Sequence, residues 1–365
     1  MTRLRVGVIG AGTICQVEHI PNLLALNTLF EVKGVADPSK TARDFVTETY
    51  GIPGFATPDA LLEEPLDAVV IGSPDPLHHE QVLAALGRGL HVFCEKPLCY
   101  SPEEIADIVA ARDKAGRVVQ VGYMKRFDPN YRLALQSLPG TAKTLRYVSV
   151  EVNDPDSWPF IHHFRTRFAS DVPQELIAAT TAKRRAQAKR VIGQPLTDLA
   201  FKGFTAAYSS SLVHDVNAVH GILDVLGVPD GEVVGAQIFA NGGGGQGTVR
   251  LLGGQALWTM THLAVPSLAD YKERISLYFD DAILELEFPS PYLNHQPTRL
   301  TVKTSDGHKA SCNELLANYE EAFVEELRGF HAAIVDGAPV VNRPEHAARD
   351  MTLLVGLTRH FLKHG

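Results

Sequence analysis

Cysteine is scarce. The 365 residues hold four, Cys15, Cys94, Cys99 and Cys312. Their spacing matches neither a metal site nor a disulfide framework, so reduced thiols are expected. Basic residues are in the minority: 34 Lys and Arg stand against 42 Asp and Glu, a net charge of −8. That balance excludes a general attraction to nucleic acid or to an anionic membrane surface. No apolar run approaches the roughly 18 residues that span a bilayer. Met1-Thr2-Arg3-Leu4-Arg5 leads straight into an apolar run with no leader-type segment before it, and a cytoplasmic location is expected. Internal repeats are absent by inspection.

What is present fits a soluble globular protein, with 45% hydrophobic and 21% charged residues. The length suggests two domains. Leu4–Ile9 reads as a buried parallel strand. Gly10-Ala11-Gly12-Thr13-Ile14-Cys15 follows. Gly10 permits a tight turn, and Gly12 lets a pyrophosphate approach the N–H groups at a helix start, with Thr13 and Ile14 beside it. Cys15 stands where such turns usually place a third glycine. Pro21 is expected to kink the helix that follows, or to begin a new turn of it.

Phe30–Ala36 is the second strand and ends on Asp37. A carboxylate there accepts from adenosine ribose hydroxyls and repels a 2′-phosphate, which favours NAD over NADP. Ser39 and Lys40 keep the phosphate option open, and Asp37 also reads as a helix cap or turn residue. Leu66–Gly72 is the next strand, followed by Ser73-Pro74-Asp75-Pro76-Leu77-His78. Two prolines there impose an extended loop, which brings His78 to the nicotinamide half of a dinucleotide unless His78 and His79 simply start a helix. Leu90–Cys94 leads to Glu95-Lys96-Pro97, where proline ends the strand and leaves Lys96 at its carboxyl end. Ser101 to Glu104 has the form of a capping box. Arg117–Val121 closes the series, and the strand–helix alternation implies a doubly wound parallel sheet.

Beyond Pro129 the pattern changes. Strands read at Leu145–Val152, Glu232–Ala240, Thr248–Leu252, Ala256–Leu263, Glu273–Phe279, Ala282–Phe288 and Arg299–Lys303, with short loops that imply a largely antiparallel open sheet. Asn241-Gly242-Gly243-Gly244-Gly245 reads as a flexible connection. Trp158 and its aromatic neighbours could wall a substrate cavity, and the basic helix Gln174–Ile192 reads as a solvated face. His162 and His163 point opposite ways in an extended chain, so no shared metal is expected. His214 heads an apolar helical run and is a natural proton acceptor. Two amphipathic helices, Tyr319–Val335 and Glu345–Leu362, finish the chain.

Gly-x-Gly, Asp37, Ser73-Pro74 with His78, Glu95-Lys96-Pro97 and Gly122-Tyr123-Met124-Lys125-Arg126-Phe127-Asp128-Pro129 occur in one order. Together they resemble the glucose–fructose oxidoreductase/inositol dehydrogenase/MocA family (Gfo/Idh/MocA). The resemblance implies an N-terminal Rossmann-type domain over residues 1–124. It also implies a C-terminal α/β domain over 125–365 with an open, largely antiparallel sheet for substrate binding and oligomerisation, the C-terminal helices packing back on the first domain as an option. Its Lys-Pro peptide is expected to be cis. NAD is expected from Gly10, Gly12, Thr13, Ile14, Asp37, Ser73, Pro74, His78, Glu95, Lys96 and Arg126. A polyol or sugar substrate is expected at Lys96, Tyr123, Trp158, Ser210 and His214, in a homodimer or homotetramer. Lys96 and His214 are the expected catalytic pair, converging on one carbinol. The family motif Asp-x-x-x-His maps onto Ser210 and His214, so the aspartate is serine here; Asp215 or a water stands in for it, or the acid is dispensable for this substrate. Two other readings stay open: a catalytically silent dinucleotide-binding sensor or subunit, and a glycoside-modifying enzyme that uses transient oxidation.

Overall fold

The computed structural model describes residues 2–139, 144–193, 195–305 and 307–365. The chain forms two compact units, each assembled from separated stretches. The first comprises Met1–Tyr123, Ile161–Gln187 and Phe323–Arg349; the second comprises Met124–Phe160, Ala188–Ala322 and Asp350–Gly365.

Among the described residues of the first unit, six strands make one parallel sheet: β1 (Leu4–Ile9), β2 (Phe30–Ala36), β3 (Gly54–Phe55), β4 (Ala68–Ile71), β5 (His91–Glu95) and β6 (Val119–Gly122). Their order is β3-β2-β1-β4-β5-β6. Strands β4 and β6 are buried along their whole length, as expected of a sheet covered on both faces. The order reverses between β1 and β4, so the loops at the carboxyl ends of these two strands frame a crevice of the kind that binds ligands. Local chemistry sets the helices. Ser39 caps helix Lys40–Tyr50 and Gly51 closes it in the left-handed region; Ser101 and Gly116 do the same for helix Pro102–Ala115. Pro21 has no N–H to return to Val17, and the preceding turn Cys15–His19 is widened, with Ile20 N–H donating to the Cys15 carbonyl.

The second unit has an eight-stranded sheet among its described residues. Its strands are β7 (Leu145–Asp154), β8 (Glu232–Ile238), β9 (Gly244–Leu251), β10 (Ala256–Ala264), β11 (Lys272–Phe279), β12 (Ala282–Phe288), β13 (Arg299–Ser305) and β14 (Ala310–Leu315), in the order β14-β13-β12-β11-β7-β10-β9-β8. Neighbours are antiparallel except β7 and β10. Alternation sets the buried face: Trp258, Met260 and His262 of β10 point to it, and Trp258 meets His220 of helix Val213–Leu226 edge-on at 5.4 Å. Two readings change here. The glycine run is a connection only as far as Gly243, because Gly244 and Gly245 are already strand. A Cβ on Gly244 would lie 2.3 Å from the His262 carbonyl, and one on Gly245 would lie 2.6 Å from the Tyr208 hydroxyl, so close approach rather than flexibility requires glycine. The helix bearing His214 also starts far upstream, at Asp198, through a widened stretch Gly203–Leu212.

Candidate active site

The turn after β1 is built around absent side chains. Gly10 has φ +102°, and a Cβ there would lie 2.7 Å from the Gly72 backbone, which carries the loop after β4. Gly10 N–H donates to the Ala36 carbonyl at 2.7 Å, so this turn also meets the end of β2. A Cβ on Gly12 would meet nothing within 4 Å. The backbone at Gly12, followed by the helical residues Thr13 and Ile14, therefore presents an open face at a helix start, the cradle a pyrophosphate needs. Cys15, at the usual third-glycine position, is fully buried, and a Cβ on Gly72 would lie 2.4 Å from its Sγ. Glycine at position 72 leaves the room that the Cys15 side chain occupies. Burial, with the charges of Glu95 and Asp37, pushes the Cys15 thiol far up, so it packs as an apolar group.

Asp37 completes this cradle. Its carboxylate accepts from Ala11 N–H and Ser39 N–H, both at 2.8 Å. A carboxylate has about four acceptor positions, so capacity remains for ribose hydroxyls. The residues fit a dinucleotide: an open glycine face for the pyrophosphate and an acidic acceptor for the adenosine ribose. Asp37 is a turn residue as well, while Ser39 is the helix cap, its Oγ accepting from Ala42 N–H at 3.0 Å.

The loops after β4 and β5 are locked together. His78 is buried, its Nε2 2.8 Å from the Ser73 carbonyl and its Nδ1 2.9 Å from the Pro97 carbonyl. It also begins helix His78–Gly87, and so serves as the tie between two loops. Ser73 Oγ donates to Gln81, and Pro74 is exposed beside it. Glu95 is buried at the end of β5, with Oε1 2.7 Å from His19 Nε2, and it accepts from Lys96 N–H at 3.1 Å. Burial alone would raise the Glu95 carboxyl, but the His19 contact and the Lys96 charge and N–H outweigh it and hold the group below its ordinary value. The Lys96-Pro97 peptide is cis, as the resemblance implied, and half-buried Lys96 sits at the strand's carboxyl end. Tyr123, just past β6, is buried; Asn342 donates to its carbonyl at 2.8 Å.

Segment Ile161–Gln187 belongs to the first unit, a placement that its sequence does not announce. The Gln16 side chain brackets Arg167, donating to its carbonyl at 3.0 Å and accepting from its N–H at 2.9 Å. Asp171 reaches Ser39 and Thr41. Further along, Arg184 pairs with Asp75 and Lys183 with Glu80. The basic helix face is thus partly spent on the loop that follows β4.

The second unit holds the remaining predicted residues. Arg126 is buried, and its Nε and Nη2 donate to the Asn217 carbonyl at 3.0 and 2.9 Å, which fastens helix Val213–Leu226 to the start of this unit. Trp158 is 55% exposed. Ser210 is exposed and His214 half-buried, four residues apart on one helical stretch. Asp215, which follows His214 in sequence, joins a buried cluster with Lys125 and Glu273 that patterning alone did not bring together. Lys125 Nζ stands 2.5 Å from Glu273 and 3.7 Å from Asp215, all three buried, and the Tyr271 hydroxyl donates to Glu273 at 2.8 Å. Burial and the Glu273 charge push the Asp215 carboxyl well above its ordinary range. Burial alone would lower Lys125, but the charges of Asp215 and Glu273 raise it. A signal was available: Asp215 and Glu273 interrupt otherwise apolar faces. A second buried group, Asn217 and His220 on Asp350 at 2.7 and 2.6 Å, ties this helix to helix Pro344–His364.

Residues 4–123 match a family described as an oxidoreductase family with an NAD-binding Rossmann fold. The inositol 2-dehydrogenase of Streptomyces avermitilis is 32% identical over 253 residues, 66% of this chain and 67% of that protein. Inositol 2-dehydrogenase 3 of Saccharopolyspora erythraea is 41% identical over 133 residues, 35% of this chain and 38% of the relative, so this match spans well under half of either protein. Among solved structures, the 3-ketoreductase KijD10 of Actinomadura kijaniata, solved with NADP and TDP-benzene, has a TM-score of 0.71 at 21% identity, covering 97% of this chain and 96% of that one. The UDP-N-acetylglucosamine 3-dehydrogenase GnnA of Acidithiobacillus ferrooxidans has a TM-score of 0.70 at 18% identity, covering 99% of this chain and 100% of that one. At these identities the structural likeness establishes the fold.

Proposed function

Because this chain belongs to the Gfo/Idh/MocA family of oxidoreductases, we propose that it interconverts a secondary alcohol and a ketone on a sugar or cyclitol, with NAD(H) as partner. The observation that carries the reading is Lys96: a lysine at the carboxyl end of β5, its N–H donating to the buried Glu95 that pairs with His19, in the same unit as an open glycine cradle. The dinucleotide supplies hydride acceptance and donation. Oxidation of a carbinol also requires the hydroxyl proton to leave, and His214 takes it. The Lys96 ammonium stabilises alkoxide character on the same oxygen as the proton departs. Asp37 favours NAD over NADP, because its carboxylate accepts from a ribose hydroxyl and repels a phosphate. The inositol dehydrogenase relatives support a cyclitol or sugar as substrate.

The test is formation of reduced nicotinamide, followed by absorbance, across a panel of inositols and sugars. Lys96→Ala is expected to lower turnover by about 100-fold, the effect of deleting one oxyanion donor. Wild-type rates in both Lys96→Ala and His214→Ala would remove these roles.

One observation favours a second reading, a dinucleotide-binding protein without turnover. Ser210 occupies the position of the family's aspartate and cannot carry a proton as a carboxylate can. Ser210→Asp separates the two. The side chain is exposed, so the fold tolerates the change. Appearance of turnover in the variant alone supports the silent reading; turnover in the wild type supports the enzyme.

A further inference from the structure

The segment with no role legible in its sequence, residues 161–187, delivers a carboxylate to the start of helix Lys40–Tyr50. Asp171 accepts from the Ser39 hydroxyl through Oδ1 and from Thr41 N–H at 3.1 Å through Oδ2. These are donors that a 2′-phosphate on an adenosine ribose held at Asp37 would draw on: a hydroxyl and a backbone N–H at a helix start, two and four residues beyond the acid. The nearby cations are also engaged. Lys40 Nζ lies 2.6 Å from Asp44, and Arg43 Nη1 donates to the carbonyls of Asp37 and Pro38 at 2.5 and 3.0 Å.

The segment is held in place independently of Asp171. Gln16 brackets Arg167 through both its N–H and its carbonyl, and Arg167 pairs with Glu48 at 3.1 Å while lying over the Phe45 ring. Hydrogen bonds from Ser39 and Thr41 hold the Asp171 carboxyl down at about 2, so the group is anionic at any working pH. Two carboxylates, Asp37 and Asp171, then face the region where a phosphate dianion would enter.

We propose that Asp171 is a specificity-determining residue, a built-in anion standing in the 2′-phosphate position and selecting NAD(H) over NADP(H) together with Asp37. The inference rests on the dinucleotide reading above and goes beyond it, because it assigns selection to a residue some 130 positions away from the glycine turn's own acid.

The test is binding, read by fluorescence titration of NADH and of NADPH into the wild type, Asp171→Asn and Asp171→Ala. Asp171→Asn keeps an acceptor for Ser39 and removes the charge; Asp171→Ala also releases Ser39 and Thr41. NADPH affinity is expected to rise by about fivefold or more in both variants, the scale of removing one solvent-exposed like charge a few ångströms from a phosphate dianion, while NADH affinity changes by less than about threefold. Equal weakening of both cofactors would assign Asp171 to holding the segment and overturn the proposal. A wild type preferring NADH with an unmoved NADH-to-NADPH ratio in both variants overturns this inference alone. A wild type preferring NADPH overturns it together with the NAD reading.

Discussion

Replacing Lys125 by methionine tests how the second unit tolerates buried charge. The ammonium lies 2.5 Å from Glu273 and 3.7 Å from Asp215, with 3% of Lys125, 4% of Glu273 and none of Asp215 exposed. Methionine fills much of the lysine stem's volume beside Phe288, so packing is largely kept while the charge goes. Breaking a buried pair by removing one partner costs about 3–5 kcal/mol, because the remaining charge is stranded. For a unit of this size that is a fall in thermal midpoint of roughly 6–20 °C. The loss depends on pH with a definite sign. Without the cation, the buried Asp215 carboxyl, already raised by burial and the Glu273 charge, loses the charge that holds it lower, so the folded variant keeps a proton that its unfolded chain releases in the ordinary carboxylate range. Its stability therefore falls as pH rises, and the deficit against wild type is larger at pH 8 than at pH 5.5. Lys125→Met/Glu273→Gln should recover at least half of the loss. Calorimetric scans of the three proteins at both pH values provide the assay. A deficit under about 1 kcal/mol at either pH, or a double variant no better than the single, would refute the reasoning.

Two further predictions rest on the first unit. Gly10→Ala places a Cβ 2.7 Å from the Gly72 backbone at φ +102°, so a cost of about 1–3 kcal/mol and a loss of NADH affinity are expected, measured by denaturation midpoint and titration. His91 accepts from Val118 N–H at 3.0 Å, and burial with the Arg117 charge holds it down at about 4. The unfolded chain takes a proton near 6.5 that the folded chain refuses until about 4, so stability falls as pH falls through that window. Discounted for partial exposure, the loss is about 1–2 kcal/mol; His91→Gln should remove it, and a pH-independent midpoint in the wild type would contradict the assignment.

The first sheet was readable because parallel strands buried on both faces are short apolar runs; β1 and β2 match their expected bounds. The two-residue β3 and the largely exposed, polar β14 carry no such signal, and neither was expected. Elsewhere, buried contacts add what local pattern does not encode. The His78 nitrogens lie within reach of the Ser73 and Pro97 carbonyls, and Arg126 donates to the Asn217 carbonyl. Asp171 is the converse, an exposed polar residue in a long connection whose use depends on a contact far off in sequence, which no local periodicity encodes. The Cys15 departure looked like a weakened glycine motif and is matched by Gly72, a compensation visible only once the two elements pack.

The claim at the centre is that Lys96 and His214 act on one carbinol. The direct measurement is the turnover of Lys96→Ala, His214→Ala and the double variant on a substrate the wild type oxidises. Groups serving one reacting oxygen are strongly non-additive, so the double variant should fall little below the slower single variant. A loss equal to the product of the two single losses would mean the residues act separately, and would contradict the account.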